Sequence, residues 1–313
     1  MLELRNVTKR YGSHPALREV SFTAPKGQIV GLLGVNGAGK TTALNVLTGC
    51  MPPTEGQVLV DGMDMMAQPH ACKRLIGYLP EKPPLYDEMT VREYLTFAAR
   101  LREVKDSAIP AHVDDIMRLC GLTGRDSQRA GSLSKGYRQR LGFAQALCGD
   151  PPVLVLDEPT VGLDPRQVAE IRDLMRELGK THTVLFSTHL LSEAQQLCQR
   201  VIILHHGRVI REMDMDAIGA EASLRLRITV DAPPARTVPA LKSLSCVRRV
   251  KTHPSRQEQV TEATLECAEV APGEADAYSQ LFHLLCALDA PLRLLVPEGD
   301  TLEQVFLKAT AEE

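Results

Sequence analysis

The sequence predicts an α/β fold built around a phosphate-binding loop, followed by a smaller α+β domain. Three observations predict it. Over about the first 210 residues, short runs dense in Val, Ile and Leu alternate with longer amphipathic stretches, the pattern of a parallel sheet covered by helices. A glycine-rich segment ending in Lys40-Thr41 joins one such run to one such stretch. After about Met215 the apolar runs give way to half-exposed alternation.

In chain order, Leu2–Thr8 and Gln57–Val60 alternate as strands of an antiparallel flank. Gln28–Leu33, Val153–Leu156, Thr183–Phe186 and Val201–Leu204 read as strands buried on both faces. Helical spacing covers Lys40–Thr48, Val91–Arg102, Ala111–Cys120, Lys135–Cys148, Gln167–Gly179 and Ser192–Gln199. Beyond them Leu224–Val230, Val247–Lys251, Val260–Cys267 and Leu292–Val296 read as strands, and Ala275–Leu288 and Leu302–Ala309 as helices. Segment 231–239 holds Pro233, Pro234 and Pro239 and reads as a loop. The expected division is residues 1–220, with a helical subdomain over about 85–150, and a C-terminal domain over 221–313.

The 313 residues suffice for two domains with their own cores. A net charge of −3, no Trp and 4% aromatics argue against a nucleic-acid partner, which favours a basic face or stacking platforms. The eight cysteines include no Cys-x-x-Cys pair for zinc or redox work and read as buried apolar groups of a reducing compartment. The charged start, MLELRNVTKR, lacks the apolar stretch of a signal peptide, and no stretch approaches the roughly 20 apolar residues of a membrane span. The expectation is a cytoplasmic protein.

The chemistry resides in a few motifs. Gly34-Val35-Asn36-Gly37-Ala38-Gly39-Lys40-Thr41-Thr42 follows a strand and opens a helix. Its backbone N–H groups can cradle phosphates, and the helix N-terminus adds a positive dipole. Lys40 can reach the terminal phosphates, and the Thr41 hydroxyl can ligate Mg²⁺. Val153-Leu-Val-Leu-Asp157-Glu158 ends an apolar strand in two carboxylates, one suited to Mg²⁺ and one to polarising water. Between and after these lie Leu133-Ser134-Lys135-Gly136-Tyr137, Gly162-Leu-Asp164-Pro165 and Ser187-Thr-His189.

In these motifs and their order, residues 2–215 resemble the ATP-binding subunits of ABC transporters. The resemblance implies a phosphate-loop ATPase core with an antiparallel flank and a helical subdomain. It implies that Tyr11 stacks on adenine, that Glu158 is the general base, and that His189 contacts the γ-phosphate and orients that base. It implies a head-to-tail dimer with a second ATPase subunit, a copy or a close paralogue. There Ser134, Lys135, Gly136 and Tyr137 face ATP held by the partner, and Asp164 couples the two sites. Mg²⁺ would be held by Thr41, Asp157 and Glu81. A separate polytopic membrane permease would dock near Pro83–Tyr94, leaving the chain peripheral on the cytoplasmic face of the membrane.

Two motifs depart from the common family pattern: Lys135 and Tyr137 stand in the signature for Gly and Gln, and Glu81, in Gly77-Tyr78-Leu79-Pro80-Glu81, for a Gln. Both replacements resemble the branch serving ABC-2 type exporters, as does the ending Leu302-Glu-Gln-Val-Phe306-Leu.

Overall fold

A computed structural model describes residues 1–215, 224–255, 257–268, 276–297 and 306. The chain divides into two compact units, Met1–Met215 and a second within Asp216–Val305.

The first unit opens with two long antiparallel strands, β1 (Leu2–Tyr11) and β2 (His14–Ala24). With β4 (Glu55–Val60) and the short β5 (Met63–Asp64) they form a four-stranded flank of order β2-β1-β4-β5. The central sheet has the order β10-β9-β3-β8-β7-β6. Its members are β3 (Ile29–Leu33), β6 (Ile76–Leu79), β7 (Val153–Leu156), β8 (Thr183–Thr188), β9 (Arg200–His205) and β10 (Arg208–Asp214). All pairs are parallel except β9–β10. Every residue of β3, β7 and β8 is buried, as expected for strands covered on both faces.

Helix α1 (Lys40–Leu47) lies between sheet and flank. Its Leu44, Val46 and Leu47 share one core with Leu4, Val7, Leu17, Val20 and Phe22 of the flank and Val30 and Leu32 of β3. Between α2 (Pro69–Arg74) and β7 the chain adds a helical group: α3 (Val91–Leu101), α4 (Ile109–Leu119) and α5 (Lys135–Leu147). Thr90 and Glu93 close a capping box at the start of α3. α6 (Pro165–Leu178) and α7 (Leu191–Leu197) complete the unit.

Helix α5 is held against β6 at close range. A Cβ added at Gly77 would stand 2.0 Å from the Ala146 carbonyl oxygen and 2.8 Å from the Leu154 side chain. Gly77→Ala is therefore expected to cost about 3 kcal/mol of stability through overpacking. Denaturant unfolding measures this, and an unchanged midpoint would contradict so tight a seat for α5.

The second unit runs β11 (Leu224–Val230), α8 (Pro234–Lys242), β12 (Val247–His253), β13 (Thr261–Cys267), α9 (Ala277–Ala287) and β14 (Leu292–Pro297). The strands form an antiparallel sheet of order β12-β13-β11-β14. Leu226, Ile228, Val230, Ala263 and Leu265 pack against Leu241, Leu281 and Leu285. The segment expected as a loop over 231–239 is largely helical. Pro233 caps it and Pro234 enters at its first turn, where a missing N–H costs nothing. Apart from Phe306, which is helical, the helix expected over Leu302–Ala309 lies outside the described residues.

Candidate functional site: a phosphate loop beside paired carboxylates

The loop Gly34–Gly39 leaves the carboxyl end of β3, where open α/β sheets place their ligands. Gly37 and Gly39 adopt φ of 84° and 105°, conformations that suit glycine. A Cβ at Gly34 would stand 2.4 Å from the Leu204 carbonyl oxygen. The loop is thus seated against the end of β9, and the Gly207 N–H donates to the Ala38 carbonyl at 2.9 Å.

Lys40 is 6% exposed. Its Nζ donates to the carbonyls of Gly34 (2.7 Å) and Val35 (3.2 Å) and lies 3.2 Å from Glu158 Oε1. The other carboxylate oxygen, Glu158 Oε2, is 2.8 Å from His189 Nδ1. A carboxylate flanked by an ammonium and an imidazole is held in one orientation, its rotamers restricted at both oxygens. Glu158 also carries a left-handed backbone, φ 45°, unusual for a residue with a Cβ.

Asp157, on the preceding position, is wholly buried. Its Oδ1 accepts from Ser187 Oγ at 2.6 Å, and the same Oγ accepts the Glu158 N–H at 2.8 Å. Burial pushes the Asp157 carboxyl above the usual range, the Ser187 and Thr41 hydroxyls pull it back, and the charges of Glu158 and Glu81 raise it again. Asp157 Oδ2 makes no hydrogen bond. A buried carboxylate oxygen without a donor, beside the Thr41 hydroxyl, suits a hard cation with oxygen ligands, so the donor set fits Mg²⁺.

A cleft of about 500 Å³ opens over these groups. Asn36, Gly37, Gly39, Lys40, Thr41, Thr42, Glu81, Glu158 and His189 line it. The structure therefore brings much of the loop, Glu81, Glu158 and His189 to one place, while Gly34, Val35, Ala38 and the buried Asp157 are not among the lining residues. Tyr11 is outside the lining. Its ring is exposed at the end of β1, with its hydroxyl 3.0 Å from Met51 Sδ and Lys9 Nζ 5.7 Å from the ring centre.

The signature residues also lie outside this cleft. Ser134 is the N-cap of α5, yet its hydroxyl makes no capping bond. The Lys135 ammonium reaches over Gly162, where an added Cβ would meet Nζ at 1.9 Å. Gly136 gives room to the Gln167 amide, 2.7 Å from a Cβ at that position. The Arg125 guanidinium stacks on the Tyr137 ring at 3.6 Å. Asp164 caps α6, accepting the Gln167 N–H at 2.9 Å.

Sequence reasoning assigned no role to Ser187, although it stands in the motif that supplied His189. It also missed His14, Arg18 and His206, which line the cleft. His206 gave no readable signal, because it enters from a β-turn distant in sequence. Among the described residues no helix is long and apolar enough to cross a membrane.

Comparison with known proteins agrees with this geometry. Residues 17–161 match the family described as ABC transporter. The chain is 31% identical to the uncharacterized ABC transporter ATP-binding protein YdbJ of Bacillus subtilis, across 99% of this chain and 95% of that one. It is 37% identical to the Nod factor export ATP-binding protein I of Burkholderia lata, over 67% of this chain and 70% of the relative. Among solved structures it resembles the dimeric cassette MJ0796 of a bacterial ABC transporter, with TM-score 0.64, 27% identity, and coverage of 69% of this chain and 99% of that one. A phosphate loop, a buried aspartate with an adjoining glutamate, and full-length similarity to such a relative lead to one conclusion: this chain belongs to the ABC transporter family, as an ATPase and the ATP-binding subunit of a transport system.

Proposed function

We propose that the chain is the ATPase of an ABC-2 type exporter, closing as a dimer around two Mg-ATP to drive a separate membrane permease. The observation that carries this reading is Glu158, fixed between Lys40 and His189 at the mouth of the phosphate-loop cleft. Its carboxylate takes a proton from water as that water attacks the γ-phosphorus and the bond to the β–γ bridging oxygen breaks, ADP leaving, and His189 keeps the carboxylate aimed. Lys40 and the N–H groups of Gly34–Thr42 hold the phosphates, and Tyr11 stacks on the adenine. Thr41, Asp157 and Glu81 would hold Mg²⁺, which when bound neutralises charge on the phosphate oxygens. Ser134, Lys135, Gly136 and Tyr137, with Asp164, face the ATP of the second subunit, a copy or close paralogue. Their placement outside the chain's own cleft supports that reading.

The exporter branch is supported by Glu81, Lys135 and Tyr137, and by similarity to a relative named for Nod factor export. In this reading residues 1–220 form the nucleotide-binding domain and 221–313 an accessory domain. Nucleic acid is not a partner, in keeping with the net charge of −3.

The permease seat proposed near Pro83–Tyr94 overlaps, through Pro84, Tyr86 and Tyr94, a groove of about 1080 Å³ on the first unit. Tyr86, Tyr94 and Phe97 make edge-to-face aromatic pairs along it, and Lys73, Arg74 and Arg102 rim it. Such a groove suits an amphipathic helix presenting apolar anchors. The chain would then sit at the cytoplasmic face of the membrane. The test is to express the Glu158→Gln form in its native host, solubilise membranes with ATP, and identify what co-purifies. One polytopic membrane protein in stoichiometric amount is expected. Recovery only from the soluble fraction, with ribosomes or alone, would overturn the transporter assembly.

A further inference from the structure

Glu193 is a buried carboxylate, 3% exposed, on the first turn of α7. Among the described residues it has no cationic partner in ion-pair range. Burying a carboxyl group without a cation is costly unless its oxygens are hydrogen-bonded. Two hydroxyls supply those bonds. Thr160 Oγ1 donates to Oε1 at 2.5 Å, and Thr188 Oγ1 donates to Oε2 at 2.8 Å.

The two hydroxyls occupy informative positions. Thr160 lies two residues after Glu158, and Thr188 immediately precedes His189. Thr188 Oγ1 also accepts the Leu190 N–H at 3.0 Å, closing the turn that carries His189. Glu193 therefore clasps the loop after β7 to the loop after β8, behind the contact between Glu158 and His189. A second clasp, Ser187 to Asp157 and to the Glu158 N–H, joins the same two strand ends on the other side. The Pro159 carbonyl is held by Gln139 Nε2 at 2.9 Å. A left-handed glutamate persists only where its surroundings over-determine it, and these clasps do so for Glu158.

We propose that Glu193 is the positioning residue that keeps Glu158 and His189 in register, through the hydrogen bonds it shares with Thr160 and Thr188. This rests on the assignment of Glu158 as base and His189 as its partner. The phosphate loop, between β3 and α1, meets the clasp through backbone, the Gly34 N–H donating to the Thr188 carbonyl at 3.3 Å, and the clasp's side-chain bonds do not reach it, so loss of those side-chain bonds is read in turnover far more than in ATP binding.

The test compares Glu193→Ala, Glu193→Gln and Thr160→Val in the full chain, measuring kcat, KM for ATP, equilibrium ATP binding and thermal melting. Misplacing a catalytic group by a fraction of an ångström lowers rate steeply, so Glu193→Ala is expected to lose about tenfold or more in kcat, with ATP binding changed less than about twofold. Glu193→Gln keeps one acceptor and the side-chain shape, and is expected to recover most of the rate. Thr160→Val, nearly isosteric, is expected to fall between. Wild-type kcat in Thr160→Val and in Glu193→Ala would overturn the proposal, as would parallel loss of kcat and ATP binding. If Glu193→Ala does not fold, Thr160→Val decides alone. Glu158→Gln in the same assay separates the two claims. A full rate there refutes the base, whereas a slow Glu158→Gln beside full-rate clasp variants refutes only the role of Glu193.

Discussion

Glu158→Gln is expected to keep ATP binding and to lower turnover by at least about a hundredfold, the usual worth of a positioned general base. The substitution preserves shape and can still accept from His189, so the loss isolates the carboxylate's basicity. It also removes the ion pair between Glu158 Oε1 and Lys40 Nζ, 3.2 Å apart. Lys40 is then shared only with the Gly34 and Val35 carbonyls and the phosphates, so affinity for ATP does not weaken. Steady-state phosphate release and equilibrium ATP binding check both halves. Wild-type turnover would show that proton transfer does not pass through Glu158.

Lys40→Ala is expected to act on the other side of the ledger, lowering ATP affinity by at least about a hundredfold, or about 3 kcal/mol. The ammonium is buried and its neighbours are two backbone carbonyls and one carboxylate. Without it the phosphates would meet Glu158 and two carbonyl dipoles with no opposing side-chain cation at that depth. Calorimetric titration with ATP measures the loss, and a melting curve separates it from unfolding. Undiminished affinity would show that the backbone cradle alone holds the nucleotide.

Much of this site was legible because its chemistry is local in sequence. The phosphate loop, the Asp157-Glu158 pair and His189 each end a run of buried strand residues, and strands of this kind announce themselves by unbroken Val, Ile and Leu. β2 did not. Leu17 and Val20 are three apart yet both are buried, because Glu19 adopts φ 52° and shifts the pairing with β1. That irregularity erases the period of two on which strand reading depends. β1 has the same feature at Asn6, φ 49°, between Leu4 and Val7. β6 is as short as β7, but Gly77 and Tyr78 replace two of the branched residues that made β7 readable.

The helix over Pro234–Lys242 was hidden by its own prolines, which punctuate a sequence wherever they stand but fit a first helical turn. The clasp around Glu193 was hidden for a different reason. Thr160 lies in a loop, Thr188 ends β8 and Glu193 stands on the first turn of α7, and nothing in their spacing says that two hydroxyls share one buried carboxylate. Contacts of that kind are made by the packing of β7 beside β8, not by any segment alone.

The central claim is that two chains close around two ATP, each completing the other's site with Ser134 and its neighbours. Glu158→Gln purified from its native host, where a copy or a paralogue is at hand, with saturating Mg-ATP tests it most directly, by measuring the mass of the complex and the nucleotide it retains. The account predicts a dimer holding two ATP, reverting to monomer when nucleotide is removed. A monomer that binds ATP fully under the same conditions would contradict it.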